Sequence, residues 1–125
     1  MIAAILSSGE PERVYTALSL LVSAAADGRE ARGLATFGAL DALLDDQLGE
    51  REAPHVSEAG RAAFARTLAE LRDAAQAMPE VRIWACAAAV EASGVSREAV
   101  EARLDGVLST PRFLREVAGA ELVVV

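Results

Sequence analysis

Short apolar runs alternate along this chain with longer stretches of helical periodicity, and no other feature limits its fold as strongly. Ile2 to Leu6 is an unbroken apolar run, and Val81 to Cys86 is apolar at all but one position. Runs of this length and composition are typical of strands covered on both faces. Between them, Val14, Leu18 and Leu21 recur at the spacing of one helix face. The pattern therefore predicts strands separated by helices.

The predicted strands are five in number. They lie near residues 2–6, 31–37, 81–86, 106–108 and 121–125. The second is the weakest match to a strand pattern, because Gly33 stands in its interior. Gly38 is expected to turn the chain after it.

The predicted helices begin at recognisable capping residues. Pro11 suits the first turn of a helix, where its missing N–H is not needed. Ser57 is expected to cap the long helix before Met78, and Ser96 a short one. Thr110 followed by proline predicts the last helix, in which Leu114 and Val117 are expected to face inward.

Strands that alternate with helices imply right-handed crossovers and a mostly parallel sheet. The predicted fold class is therefore α/β: a three-layer α/β/α domain with a five-stranded sheet. The chain has 125 residues, which is enough to bury a core without disulfides or a structural metal. No linker, repeat or low-complexity tract interrupts it, so residues 1–125 are predicted to form one domain.

The charge of the chain excludes several classes of partner. The formal net charge is −7 and no basic run interrupts it, so the surface repels phosphate backbones and anionic lipid. We expect no nucleic-acid and no membrane partner. The first apolar run is too short for a signal peptide and lacks a basic segment before it. With a single cysteine, this predicts a cytoplasmic protein.

Cys86 is the candidate catalytic residue. Ligands of open parallel sheets gather beyond the carboxyl ends of the strands, where Ser7 to Glu10, Gly38 and Cys86 are all expected. Cys86 lies where a strand leads into a helix, and free backbone N–H groups there favour a thiolate. This predicts a partly exposed, reactive thiol. The alternative is a buried, inert thiol, because free cysteine is among the most buried residue types.

The other candidate groups favour simpler interpretations. His55 is the only histidine and lies in a charged loop, so a solvated side chain is favoured over a Cys–His pair. One cysteine and one histidine cannot complete a zinc site alone. The loop Ser7 to Glu10 lacks the glycine pattern and lysine of a phosphate-binding loop. The acidic residues before His55 favour a solvated helix face: Asp41, Asp45, Asp46, Glu50 and Glu52. No metal and no cofactor is predicted.

The segment Val81 to Val95 resembles the signature of the DsrE/DsrF/TusD-like sulfur-relay family. That signature is a strand, a cysteine, small residues, and a glycine with an aliphatic residue eight or nine positions after the cysteine, the places of Gly94 and Val95 here. Further features match in order over almost the whole chain: the loop with Ser8-Gly9, the alanine-rich first helix, the strand ending Thr36-Phe37-Gly38, and the apolar last strand. Family members often carry a basic residue just before the glycine, where Ala92 and Ser93 stand here.

The resemblance implies a flavodoxin-like (DsrE-like) layered domain that assembles as a homotrimer or hexamer. It also implies that Cys86 carries sulfane sulfur as a persulfide, taken from a donor protein and passed to an acceptor protein. The leading hypothesis is thus a cytoplasmic sulfur carrier or sulfurtransferase-type subunit. The alternative is a non-catalytic oligomeric binding module of the same fold, with Cys86 buried and inert. A third hypothesis is a peroxide- or thiol-responsive sensor, which would need a partner thiol.

Overall fold

The sheet of the computed structural model, which describes residues 1–125, is entirely parallel. Its strands are β1 (Ile2–Leu6), β2 (Ala31–Ala35), β3 (Val81–Cys86), β4 (Val107–Leu108) and β5 (Glu121–Val124). They lie in the order β4-β3-β2-β1-β5, with β4 and β5 at the two edges. The predicted α/β class, the five strands and their parallel direction are confirmed.

Six helices connect the strands. They are α1 (Pro11–Ala26), α2 (Phe37–Leu44), α3 (Arg61–Ala77), α4 (Ala87–Ser93), α5 (Arg97–Arg103) and α6 (Thr110–Glu116), with a 3-10 turn at Leu48–Glu50 between α2 and α3. None of them is both long and apolar enough to cross a membrane.

The strand order distributes the helices unevenly over the two faces of the sheet. The connections from β1 to β4 all move in one direction, so right-handed crossovers place their helices on one face. The connection from β4 to β5 returns across the sheet, which places α6 on the other face. There Phe113 of α6 meets Trp84 of β3 edge to face, with ring centroids 6.1 Å apart. The result is the predicted three-layer, flavodoxin-like arrangement, with a single seven-residue helix as its third layer.

The core between the layers is wholly apolar. The buried hydrophobic residues form one cluster of 29, and no polar or charged residue is among them. Gly33 lies inside β2 because a methyl group there would be only 3.3 Å from Leu6, Leu21 and Ile83. The glycine that weakened the strand pattern thus allows α1 to pack closely on the sheet.

Two of the predicted helix starts need correction. Ser57 does not cap α3: its hydroxyl accepts from the N–H of Gly60 in a turn, and Gly60 is the N-cap residue. The cap of α6 is Ser109 rather than Thr110, since the Ser109 hydroxyl accepts from Arg112 N–H. The predicted starts at Pro11 and Ser96 are confirmed.

The predicted inward face of α6 is wrong at one position. Phe113 and Val117 are buried, whereas Leu114 is 47% exposed. Phe113 and Val117 are four residues apart, so both point at the sheet and Leu114 is rotated away from it. Leu114 is therefore a surface residue.

Candidate functional site

The loops that follow β1 and β2 touch through their backbones at the carboxyl edge of the sheet. A methyl group at Gly9 would lie 2.6 Å from the carbonyl oxygen of Gly38, so this approach requires glycine. Beside it, the N–H and hydroxyl of Thr36 both donate to the carbonyl of Leu6, at 2.9 and 3.1 Å. The two loops therefore form one packed unit.

Phe37 projects from this unit in an unusual conformation. Its φ is +38°, the only positive value at a residue other than glycine, and its side chain is 59% exposed. The sequence led us to expect the turn at Gly38, but Gly38 has no positive φ and instead provides the close approach to Gly9. Such backbone strain clusters at binding and active sites. Phe37 is thus a candidate functional residue that the sequence did not indicate.

A cleft of about 380 Å³ opens beside Phe37, between α2 and the end of α4. This volume lies within the range of small-molecule sites. Its lining is half apolar and half polar: Phe37, Leu40, Leu44 and Val95, with Asp41, Asp45, Arg51 and Ser93.

Arg51 holds the polar wall of the cleft together. Its Nε donates to Asp45 and its Nη2 to Asp41, both at 2.8 Å. The hydrogen bond from Arg51 lowers the pKa of Asp45 below its usual value, and both carboxylates raise the pKa of Arg51. Asp41 remains 78% exposed, so one of its oxygens is free to accept a bond from a ligand. With two carboxylates and one guanidinium, the wall has a net charge of −1.

Cys86 lies at the predicted end of β3, but its thiol is not at the surface. It is the N-cap residue of α4, and its side chain makes no capping hydrogen bond. The residue is 5% exposed and lines none of the cavities of the molecule, so the expected partly exposed thiol is wrong. Ser93, which lines the cleft, is seven residues further along α4, or about 10 Å along its axis.

The structure places His55 apart from Cys86. His55 is exposed, and its backbone N–H donates to the carboxylate of Glu12 at 2.9 Å. This bond is the main reason that the pKa of Glu12 is lowered. No hydrogen bond joins His55 to Cys86, so the two do not form a nucleophile–base pair.

The predicted acidic cluster is divided among separate contacts. Asp41 and Asp45 pair with Arg51, while Asp46 pairs with Arg103 of α5. No group of carboxylates, histidine and cysteine is arranged to hold a metal ion. The sequence showed the acids but not their partners, because Arg51 and Arg103 follow Asp45 and Asp46 by six and 57 residues.

A scan of protein-family models finds no match to this chain, and no curated protein is significantly similar to it.

Proposed function

We propose that this chain is a non-catalytic binding module that takes a small ligand in the cleft beside Phe37. The observation that carries the proposal is the cleft itself, at the carboxyl edge of a parallel sheet, with a strained and exposed aromatic side chain at its mouth. Ligands of open α/β sheets bind beyond this edge. The strained backbone under this exposed ring is costly to stability, which favours a role in binding.

The lining indicates the class of ligand. The rings and aliphatic chains of Phe37, Leu40 and Leu44 suit an apolar body. The free carboxylate oxygen of Asp41 and the net negative wall suit a cationic or hydrogen-bond-donating head. We therefore infer a small amphipathic molecule with an amine-like group, and not an anion.

Cys86 has a packing role in this proposal. It is buried among the apolar residues of the core and does not line the cleft. A thiolate must meet its reaction partner directly, and a thiol enclosed in this way has no path to one. The module therefore needs no sulfur chemistry.

The sulfur carrier implied by the family resemblance is the second candidate. The observation in its favour is the position of Cys86 at the junction of β3 and α4, on the edge where the other loops meet. For this candidate, the core around Cys86 must open to admit a sulfur donor.

Reactivity of the native thiol separates the two candidates. If the chain is a binding module, iodoacetamide should alkylate Cys86 at least about 100-fold more slowly in the native state than in urea, because the core around Cys86 must open before the thiol can react. The module also predicts that a persulfide donor adds no sulfur atom to the native protein, as measured by intact mass. A sulfur atom gained by the wild type and absent from Cys86→Ser would favour the carrier instead.

Ligand binding is tested with two probes that share one apolar body. Phenethylamine should shift the NMR signals of cleft residues, whereas phenylacetate should not, because the wall is negatively charged. Phe37→Ala should weaken the amine-induced shifts, and Leu114→Ala, at an apolar site on the other side of the sheet that is 47% exposed, should leave them unchanged. Equal shifts with both probes, or shifts away from the cleft, would count against the proposal.

A further inference from the structure

The two edges of the sheet differ in how they are protected from other chains. Edge strands carry unpaired backbone groups, and proteins blunt them by shortness, charge, proline or a covering element. β4 is only two residues long and follows Asp105 and Gly106. β5 has four residues, of which Leu122, Val123 and Val124 are apolar. Only the β5 edge is therefore left open.

The unpaired groups of β5 belong to Leu122 and Val124. Glu121 N–H donates to Met1 and Val125 N–H donates to Ile5, so these residues face β1. Because backbone groups alternate in direction along a strand, Leu122 and Val124 present theirs to the outer side. Their side chains are 45% and 69% exposed.

The helix α6, which forms the third layer alone, is too small to cover β5 on its face of the sheet. Phe113 anchors α6 above Trp84 of β3, three strand spacings or about 14 Å from β5. One helix is about 10 Å across and covers about two strands. By the register of β1 with β5, Leu122 and Val124 lie on this face beside Ala3 and Ile5. The outer edge and one face of β5 thus form an apolar strip.

We propose that this strip binds a second copy of the chain, through antiparallel pairing of β5 with β5 of the copy. A two-fold axis at Val123 sets Leu122 opposite Val124 of the copy, and Val124 opposite its Leu122. Both are then hydrogen-bonded pairs, each exchanging two backbone bonds. Each exposed apolar side chain gains an apolar neighbour across the junction.

The charges around β5 permit this pairing. Glu121 would lie opposite Val125 of the copy, so no two charged side chains of like sign face each other. Glu121 is already paired with Arg29, at 3.3 Å within its own chain. On α6, Arg112 and Arg115 outnumber Glu116, so this side does not share the acidic character of the whole chain. The pairing is independent of the cleft and its ligand.

Light scattering at tens of micromolar tests the association. The wild type should have the mass of two chains or an even multiple of it, and a monomer or an unpaired trimer would overturn the proposal. Val124→Lys should be a monomer with an unchanged circular dichroism spectrum, because lysine protects sheet edges. Phe37→Lys, which changes an exposed apolar residue at the cleft, should keep the wild-type mass. If Phe37→Lys were a monomer and Val124→Lys kept the wild-type mass, the contact between copies would lie at the cleft and not at β5.

Cross-linking tests the register. In a Cys86→Ala background, Val123→Cys should form a disulfide-linked dimer on mild oxidation. The reason is that residue 123 lies directly opposite residue 123 of the copy, with the two Cα atoms about 4.5 Å apart. Val124→Cys should cross-link much more slowly, because residue 124 of the copy lies two residues away along the strand. Equal cross-linking of both variants, or none at Val123→Cys, would overturn the antiparallel register.

Discussion

Gly9 and Gly38 contact each other through their backbones, so closely that a methyl group on Gly9 would lie 2.6 Å from the Gly38 carbonyl oxygen. We expect Gly9→Ala to lower the free energy of unfolding by about 1–3 kcal/mol, because one loop must move to relieve the overlap. Urea denaturation measures the change. Gly60→Ala is the control: its methyl group would meet the Ser57 hydroxyl at 3.3 Å and the Ser57 carbonyl oxygen at 3.8 Å, and its cost should be below about 1 kcal/mol. Equal costs for the two variants would contradict the close contact.

The strain at Phe37 predicts a stabilising substitution. Asparagine tolerates positive φ better than phenylalanine does, and the Phe37 side chain is mostly exposed, so little packing is lost. Phe37→Asn should raise the free energy of unfolding by about 1 kcal/mol while weakening binding of phenethylamine. Phe37→Ala loses the same ring and keeps the strain, so it should show no such gain. A destabilised Phe37→Asn would show that the ring contributes more by packing than its conformation costs.

The pairing of Asp45 with Arg51 predicts a specific dependence of stability on pH. The folded-state pKa of Asp45 is below its ordinary value of 3.8, so its contribution is present above that value and is lost as the pH falls through the folded pKa. Asp45→Asn should therefore be less stable than the wild type near neutral pH, and the difference should shrink below about pH 4. Arg51→Gln should behave in the same way, because it removes the main cause of the shift. If the difference in free energy of unfolding between either variant and the wild type stayed constant with pH, the pairing of Asp45 with Arg51 would not be the cause of the lowered pKa.

Phe113 and Leu114 are neighbours in α6 with opposite environments, and this predicts different costs of truncation. Phe113 is fully buried against Trp84, so Phe113→Ala should cost about 3–5 kcal/mol. Leu114 is largely exposed, so Leu114→Ala should cost less than about 1 kcal/mol. Urea unfolding at a concentration where the protein is monomeric gives both values. Similar costs would mean that α6 packs on the sheet through a different face.

Much of the fold could be predicted because its signals are local. The run Val81 to Cys86, the proline at position 11 and the cap at Ser96 each act within a few residues of themselves. Where the burial of a residue was predicted wrongly, contacts distant in sequence decided the outcome. Leu114 and Phe113 are both suited to a core, and the packing of Phe113 on Trp84, which is distant in sequence, distinguishes them.

The candidate site was less predictable for the same reason. The position of Cys86 at the end of β3 could be predicted from its strand, but its burial depends on every element packed around it. Gly38 seemed the natural residue for a turn, since nothing local shows that Gly9 takes up the space beside it. The positive φ falls on Phe37, where sequence preference argues against it.

The pairing of β1 with β5 has a consequence for how the domain is made. Ser7 donates to Val125 across 118 residues of chain, and β5 reaches its place only after α6 has crossed the sheet. Closing so long a loop is slow, and contacts of this kind delay folding. On the ribosome, β1 must wait with one side unpaired until the residues of β5 have emerged. During that interval its apolar edge is available to other nascent chains, so aggregation during synthesis should depend on how soon the fifth strand arrives.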